Sequence, residues 1–207
     1  AAQTGNVKWK AKPKGFYGKP LRSGPAVAYG IVFVYVGGKT IGLDVRTGHE
    51  SWRCQRGRRG RAGVTLHSKY VITGGEAVTL DKGQLLFDTN HLINWTSDAD
   101  LTPCVVGDLY WGASSGRGGY SFAKLGCGDL AARRTRWSRF IEQHLPQPER
   151  SYSSCSPAVW EGRVYIGVEK GIMYAFDALT GKKLQWEFNA CRNNGLHSAP
   201  SIAARSG

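Results

Sequence analysis

The side chains best equipped for chemistry in this 207-residue chain are its cations. RCQRGRRGRAG, residues 53–63, carries Arg53, Arg56, Arg58, Arg59 and Arg61. Guanidinium groups bind phosphate and carboxylate oxygens in pairs, and interspersed glycine lets such a loop follow an irregular anionic surface. KWKAKPKGFYGKPLR holds Lys8, Lys10, Lys12, Lys14, Lys19 and Arg22, and the stretch from residue 129 to 150 opens with Arg133, Arg134 and Arg136. Lys and Arg total 28 against 15 Asp and Glu, a formal net charge of +13. A field of that sign attracts RNA or another polyanion, an acidic protein surface, or an anionic membrane surface. The eight arginines at 53, 56, 58, 59, 61, 133, 134 and 136 are the candidate contacts.

Other reactive groups are present without the spacing that chemistry requires. Cys54, Cys104, Cys127, Cys155 and Cys191 are scattered and form no CxxC pair, which argues against a structural zinc site. They read as reduced, often buried, small apolar residues, and so favour a reducing compartment, intracellular or organellar. His49, His67, His91, His144 and His197 share no metal or triad spacing, and Gly-x-Ser-x-Gly is absent from the sequence. GASSGRGG at 112–119 is glycine-rich, yet it runs from one strand into another and reads as a turn rather than a phosphate cradle. No catalytic, metal-binding or cofactor-binding residue is assigned. The sequence lacks the run of about 18 apolar residues that a membrane-spanning helix needs. AAQTGNVKWKAKPK at the start has no apolar signal-peptide core, so either none exists or it has been removed.

The elements that must position these side chains recur along the chain. SPAVWEGRVYIGVEKGIMYAFDALTGKKLQWEF (156–188) repeats the outline of GPAVAYGIVFVYVGGKTIGLDVRTGHESW (24–52). Weaker copies lie between: KYVITGGEAVTLDKGQLLF (69–87), where Asp81, Gly83 and Phe87 are aligned with Asp44, Gly48 and Trp52 across a shorter turn, and TPCVVGDLYWGA (102–113), which extends to Trp137. AQTGNVKW at 2–9 matches the end of a copy, with Lys8 and Lys10 on one face of a strand at 7–10 opposite Trp9. SAPSIAARSG at 198–207 matches the opening of one. Each copy alternates apolar and β-branched residues with period two and is punctuated by glycine turns, which predicts strands. Four strands recurring about every 40 residues predict a β-propeller blade.

The recurring Asp-x-x-Thr-Gly has a physical reason between a third and a fourth strand. Asp or Thr accepts hydrogen bonds from the turn backbone, and Gly takes the positive-φ position. The Trp that follows can lie against the neighbouring blade, where burying it removes roughly 150–250 Å² of surface. At about 25 cal/mol/Å² that contributes on the order of 4–6 kcal/mol. Trp9, Asp44, Gly48, Trp52, Asp177, Gly181 and Trp186 are the expected docking set.

These residues resemble the quinoprotein-like propeller repeat, or PQQ repeat, with its Ala-x-Asp-x-x-Thr-Gly-x-x-x-Trp motif. Leu43, Asp44, Thr47, Gly48 and Trp52 match it with Leu for Ala and one residue fewer. Ala175, Asp177, Thr180, Gly181 and Trp186 match it with one residue more, and Thr4, Gly5 and Trp9 match its end. The resemblance implies an all-β propeller of about four blades with partial blades at both ends, either an incomplete ring or part of a longer chain. The family includes PQQ-dependent dehydrogenases and non-catalytic scaffolds such as a bacterial outer-membrane assembly lipoprotein. Its dehydrogenases carry adjacent cysteines near the quinone, a Trp floor, and Glu, Asn and Asp ligands for calcium. The sequence has no Cys-Cys pair, and Asn193, Asn194, Asp98 and Asp100 sit in ordinary loop stretches.

The chain is therefore expected to be a single propeller domain or segment over 1–207, with an insertion or long connection at 113–150. Trp137, Phe140, Ile141 and Leu145 have the spacing of a short helix, with Asp129 as cap and Pro146 as stop. The expected function is a non-catalytic scaffold for protein–protein contacts in a larger assembly, without a cofactor. The alternatives are a PQQ-dependent dehydrogenase fragment and a basic RNA-contacting subunit of a ribonucleoprotein.

Overall fold

The computed structural model describes residues 5–12, 14, 24–54, 63–73, 75–93, 101–114, 123–141, 155–168, 171–190 and 200–201. Over these residues the chain is all-β apart from a 3-10 turn at Asn90–Ile93. Four antiparallel sheets, each of four strands in chain order, form four blades. Blade 1 comprises β1 (Ala26–Ala28), β2 (Ile31–Val36), β3 (Lys39–Asp44) and β4 (Glu50–Arg53). Blade 2 comprises β5 (Val64–Leu66), β6 (Tyr70–Thr73), β7 (Glu76–Thr79) and β8 (Leu85–Asp88). Blade 3 comprises β9 (Cys104–Val106), β10 (Leu109–Ala113), β11 (Lys124–Asp129) and β12 (Arg134–Phe140). Blade 4 comprises β13 (Ala158–Trp160), β14 (Arg163–Gly167), β15 (Ile172–Asp177) and β16 (Lys183–Asn189). The chain divides into two compact units, Ala1–Asp88 and Thr89–Gly207.

Middle strands are apolar on both faces because each face has its own cover. In the first unit, Val32, Val34, Val36, Ile41 and Leu43 form one cluster with Trp9 against it. Phe33, on the opposite face of β2, joins Trp52, Cys54, Val71 and Val78 in a second cluster shared with blade 2. In the second unit, Trp111, Leu125, Cys127 and Trp137 of blade 3 pack with Val164, Ile166, Tyr174 and Phe176 of blade 4. The other face of blade 3 carries Gly112, Gly126 and Gly128, and Leu92 and Ile93 fill the space above them. Both side chains are fully buried.

Every blade breaks register between its third and fourth strands, at Gly42/Leu43, Ala77/Val78, Cys127/Gly128 and Tyr174/Phe176. A bulge of this kind re-aims a side chain. Here it sets an aromatic of the fourth strand opposite a small residue of the third: Trp52 opposite Gly42, Phe87 opposite Ala77, Trp137 opposite Cys127. A Cβ on Gly42 would fall 2.4 Å from Trp52 Cε2. Gly42, two residues before Asp44, therefore occupies the small position of the repeat, and the assignment of Leu43 to it is corrected. With that register the spacing through Trp52 needs no deletion.

Hydrogen-bond pairing corrects two further readings. The Thr79–Gly83 turn is as long as Asp44–Gly48, because Gly83 N–H donates to Thr79 O as Gly48 N–H donates to Asp44 O. Thr79, not Asp81, stands at the Asp44 position. The residues from Arg134 to Phe140 are strand β12 rather than a helix, since they pair along β11 from Lys124 to Asp129. Helical spacing and blade spacing coincide at Trp137 and Phe140, and pairing with a bulged strand decides between them. It follows that β11 and β12, both blade strands, lie inside the span 113–150 read as an insertion or connection; Leu145 and Pro146 lie outside the described residues. Residues 7–10 are not a strand, although Trp9 still reaches blade 1.

Candidate functional site

The third-to-fourth-strand turns are built from short local bonds. Asp44 Oδ1 accepts hydrogen bonds from Arg46 N (2.9 Å), Thr47 N (2.8 Å) and Thr47 Oγ1 (2.9 Å). Asp177 Oδ1 accepts from Leu179 N (3.1 Å), Thr180 N (2.7 Å) and Thr180 Oγ1 (2.7 Å). In blade 2 Thr79 stands at the same position, and its hydroxyl accepts from Gln84 N at 3.1 Å, beyond the turn. Asp129 accepts from Ala132 N at 2.8 Å in blade 3. Bonds from Thr47 backbone and hydroxyl hold the Asp44 carboxyl below its usual range, and those from Thr180 do the same for Asp177. At Asp129 the Ala132 amide comes first and the Arg136 guanidinium second.

Each of these turns ends in a left-handed residue: Gly48 (φ 73°), Gly83 (φ 63°), Gly181 (φ 69°) and, in blade 3, Arg133 (φ 51°). An indole lies over each glycine. A Cβ there would meet Trp9 at 2.5 Å over Gly48, Trp52 at 2.2 Å over Gly83, and Trp137 at 2.5 Å over Gly181. Each indole N–H donates to the carbonyl at the second position of the turn: Trp9 to Val45 (3.0 Å), Trp52 to Leu80 (3.1 Å), Trp137 to Ala178 (3.0 Å). Glycine thus does two jobs, adopting positive φ and clearing the plane on which the ring sits. Trp186 has the corresponding strand position in blade 4, but it is 41% exposed and meets Tyr165 of its own blade edge-on, with centroids 5.5 Å apart.

Two docking residues escaped the sequence reading. Trp111 on β10 also donates to Ala178 O, at 2.9 Å, and Arg139 reaches Thr180 O at 3.4 Å. The repeat outline offers no signal for either, because both depend on what blade 4 places opposite them.

The candidate cationic contacts separate into different roles. Arg53 donates to both carboxylate oxygens of Glu50 (2.8 and 2.6 Å) and to Lys14 O (2.9 Å). Arg136 is paired with Asp129 at 2.9 Å. Arg133, the last residue of the turn, and Arg134, the first of β12, are exposed. Arg56, Arg58, Arg59 and Arg61 lie outside the described residues, as do Lys19 and Arg22.

Among the described residues, Cys54, Cys104, Cys127 and Cys155 form no disulfide. Burial raises Cys104, pushes Cys127 up to about 12 and pushes Cys155 up to about 11, so these three stay protonated and unreactive. Among the described residues the donor set that a calcium-bound quinone requires is not matched. Cysteines are nowhere adjacent, and no group of three His, Cys, Asp or Glu converges among the described residues. Asp98, Asp100, Asn193 and Asn194 lie outside them. No described helix is long and apolar enough to cross a membrane.

Comparison with known proteins follows the same lines. Residues 1–148 match the PQQ-repeat family model described as outer membrane protein assembly factor BamB. No curated protein sequence matches the chain. Among solved structures, BamB from Moraxella catarrhalis is 23% identical, with TM-score 0.60, over 81% of this chain and 51% of that one. The computationally designed Ika8 protein is 16% identical, with TM-score 0.62, over 87% and 52%. Quinohemoprotein alcohol dehydrogenase from Comamonas testosteroni is 15% identical, with TM-score 0.66, over 86% and 36%. At these identities the likeness concerns the fold. The chain spans about half the length of the first two and about a third of the last.

Proposed function

The chain belongs to the PQQ-repeat family of outer membrane protein assembly factor BamB, and from that premise we propose that it is a non-catalytic scaffold segment holding protein partners in a larger assembly. The observation that carries the reading is the contrast among fourth-strand tryptophans. Trp52 and Trp137 are each 8% exposed on the turn of a following blade, whereas Trp186 is 41% exposed. The face of β16 is therefore a docking seat, and its occupant is a further blade of the same repeat type. Such a blade offers a left-handed glycine beneath the indole and a turn carbonyl for its N–H. The exposed Leu179 and Phe188 extend the same blade's apolar surface.

A scaffold reading also agrees with the chemistry of the described side chains. Burial holds the Cys104, Cys127 and Cys155 thiols protonated, and the turn carboxylates of Asp44, Asp129 and Asp177 accept from backbone amides. Arg53 and Arg136 brace the fold through carboxylates rather than standing ready for RNA phosphates. Native mass spectrometry of the gently purified protein tests the proposal. The expected result is a complex with other protein subunits, in which β16 is protected from hydrogen exchange. A lone, quinone-loaded protein that oxidises alcohols would overturn it.

A further inference from the structure

A cleft of about 600 Å³ opens beside the β3–β4 turn of blade 1, with Lys10, Lys12, Lys14, His49, Glu50 and Arg53 in its walls. Its cationic wall is clamped at both ends. Trp9 sits over Gly48 and donates to Val45 O at 3.0 Å. Five residues on, the Lys14 carbonyl accepts from Arg53 Nη1 at 2.9 Å. Arg53 is itself held by Nε and Nη2 on the two oxygens of Glu50. Lys10, Lys12 and Lys14, all exposed, are thereby held across the turn rather than trailing in solvent. The Glu50 carboxylate is compensated by Arg53, and the lysines leave the cleft positively charged.

We propose that this cleft binds a short acidic segment of a partner protein, with Asp or Glu carboxylates seated among the three lysines. The class of partner rests on the scaffold reading; the site rests on the geometry of blade 1. A volume of this size suits a few side chains. Ammonium groups on flexible stems act as point charges, which suits single carboxylates. Nucleic acid is disfavoured because no Trp, Tyr or Phe lines the cleft among the described residues, which leaves bases without the aromatic platforms on which unpaired strands stack. Arg53 is a positioning residue, acting through Glu50 and Lys14 to fix the lysine wall.

The test titrates a fluorescein-labelled decaglutamate peptide into the native protein and follows anisotropy at rising salt. The expected result is saturable binding that weakens with salt, and a loss of about tenfold or more in the Lys10→Gln/Lys12→Gln/Lys14→Gln variant. Arg53→Lys keeps the charge but loses the two-oxygen grip on Glu50, and is expected to weaken binding by a smaller factor. Unchanged melting temperature and tryptophan emission in the glutamine variant show that the fold is intact; should it fail to fold, each single Lys→Gln variant gives the same readout. Unchanged affinity in those variants overturns the proposal, as does tighter binding of a decauridine RNA through the same lysines. Absence of peptide binding in a protein that still co-purifies with other subunits overturns the cleft and leaves the scaffold reading standing.

Discussion

Two ways of covering a polar seam meet in this chain. Over the turns of blades 1, 2 and 4, a flat indole lies on a glycine and ties its N–H to a turn carbonyl. On the face of blade 3 opposite blade 4 the glycines are in the strands instead, and Leu92 and Ile93 from the 3-10 turn press onto Gly112, Gly126 and Gly128. The turn of that same blade has Arg133 at the left-handed position. A side chain there removes the flat seat an indole needs. Glycine thus marks the place of closest approach in both regions, and its position along the blade shows which partner, aromatic or aliphatic, approaches. The 3-10 turn is anchored by polar bonds as well, since Thr135 Oγ1 donates to His91 O at 2.8 Å.

The comparison breaks first at its covers. Trp137→Ala removes a side chain only 8% exposed and is expected to cost about 3–5 kcal/mol by urea unfolding. Leu92→Ala, fully buried, is expected to cost about 2–5 kcal/mol. Trp186→Ala, by contrast, is expected to change the stability of this chain alone by less than about 1 kcal/mol. A loss matching that of Trp137 would mean the indole is already seated. Next come the seats. Gly83→Ala combines φ 63° with a Cβ 2.2 Å from the Trp52 ring, and is expected to cost at least about 2 kcal/mol. Arg133→Gly relieves a left-handed non-glycine residue and is expected to be neutral or to add up to about 1 kcal/mol. A large loss there would give the arginine side chain a structural role that its backbone does not suggest.

The smallest effect concerns pH. Asp129 and Asp177 have folded-state carboxyls below their ordinary values. Their contribution is complete above the unfolded value of about 4 and is lost as pH falls through the lower folded values. Asp129→Asn/Asp177→Asn keeps an acceptor oxygen and removes the titration. Thermal melts followed by circular dichroism are expected to show a shallower acid decline in the double variant than in the parent. Equal slopes would assign the acid sensitivity to other groups. Thr79, which fills the same place in blade 2, does not titrate in this range.

Much of the blade is legible in the residues. The turn motif acts over five residues, so Asp44, Thr47 and Gly48 announce their bonds in one line of sequence. The faint copies were harder. Thr79 stands at the Asp position with a hydroxyl that accepts from Gln84 N instead of the turn amides, so the residue types alone point to Asp81. At Trp137, strand and helix patterns overlapped until β11 supplied a pairing partner. The lysine-lined cleft was visible only as a basic run, because nothing local says that Arg53 closes on Lys14.

Sequence by itself determined the strands, the glycine turns and the aromatics that follow them, since these rest on φ/ψ preferences and hydrogen bonds within a few residues. Tertiary structure decided which aromatics are covered, which arginines brace carboxylates, and that Gly42 rather than Leu43 faces the indole. Burial needs a second surface, and a bulge shifts register by one residue, reversing which side chain meets it. Trp52 and Trp186 both follow Asp-x-x-Thr-Gly turns in the sequence, and only the presence of blade 2 beneath the first makes one of them core.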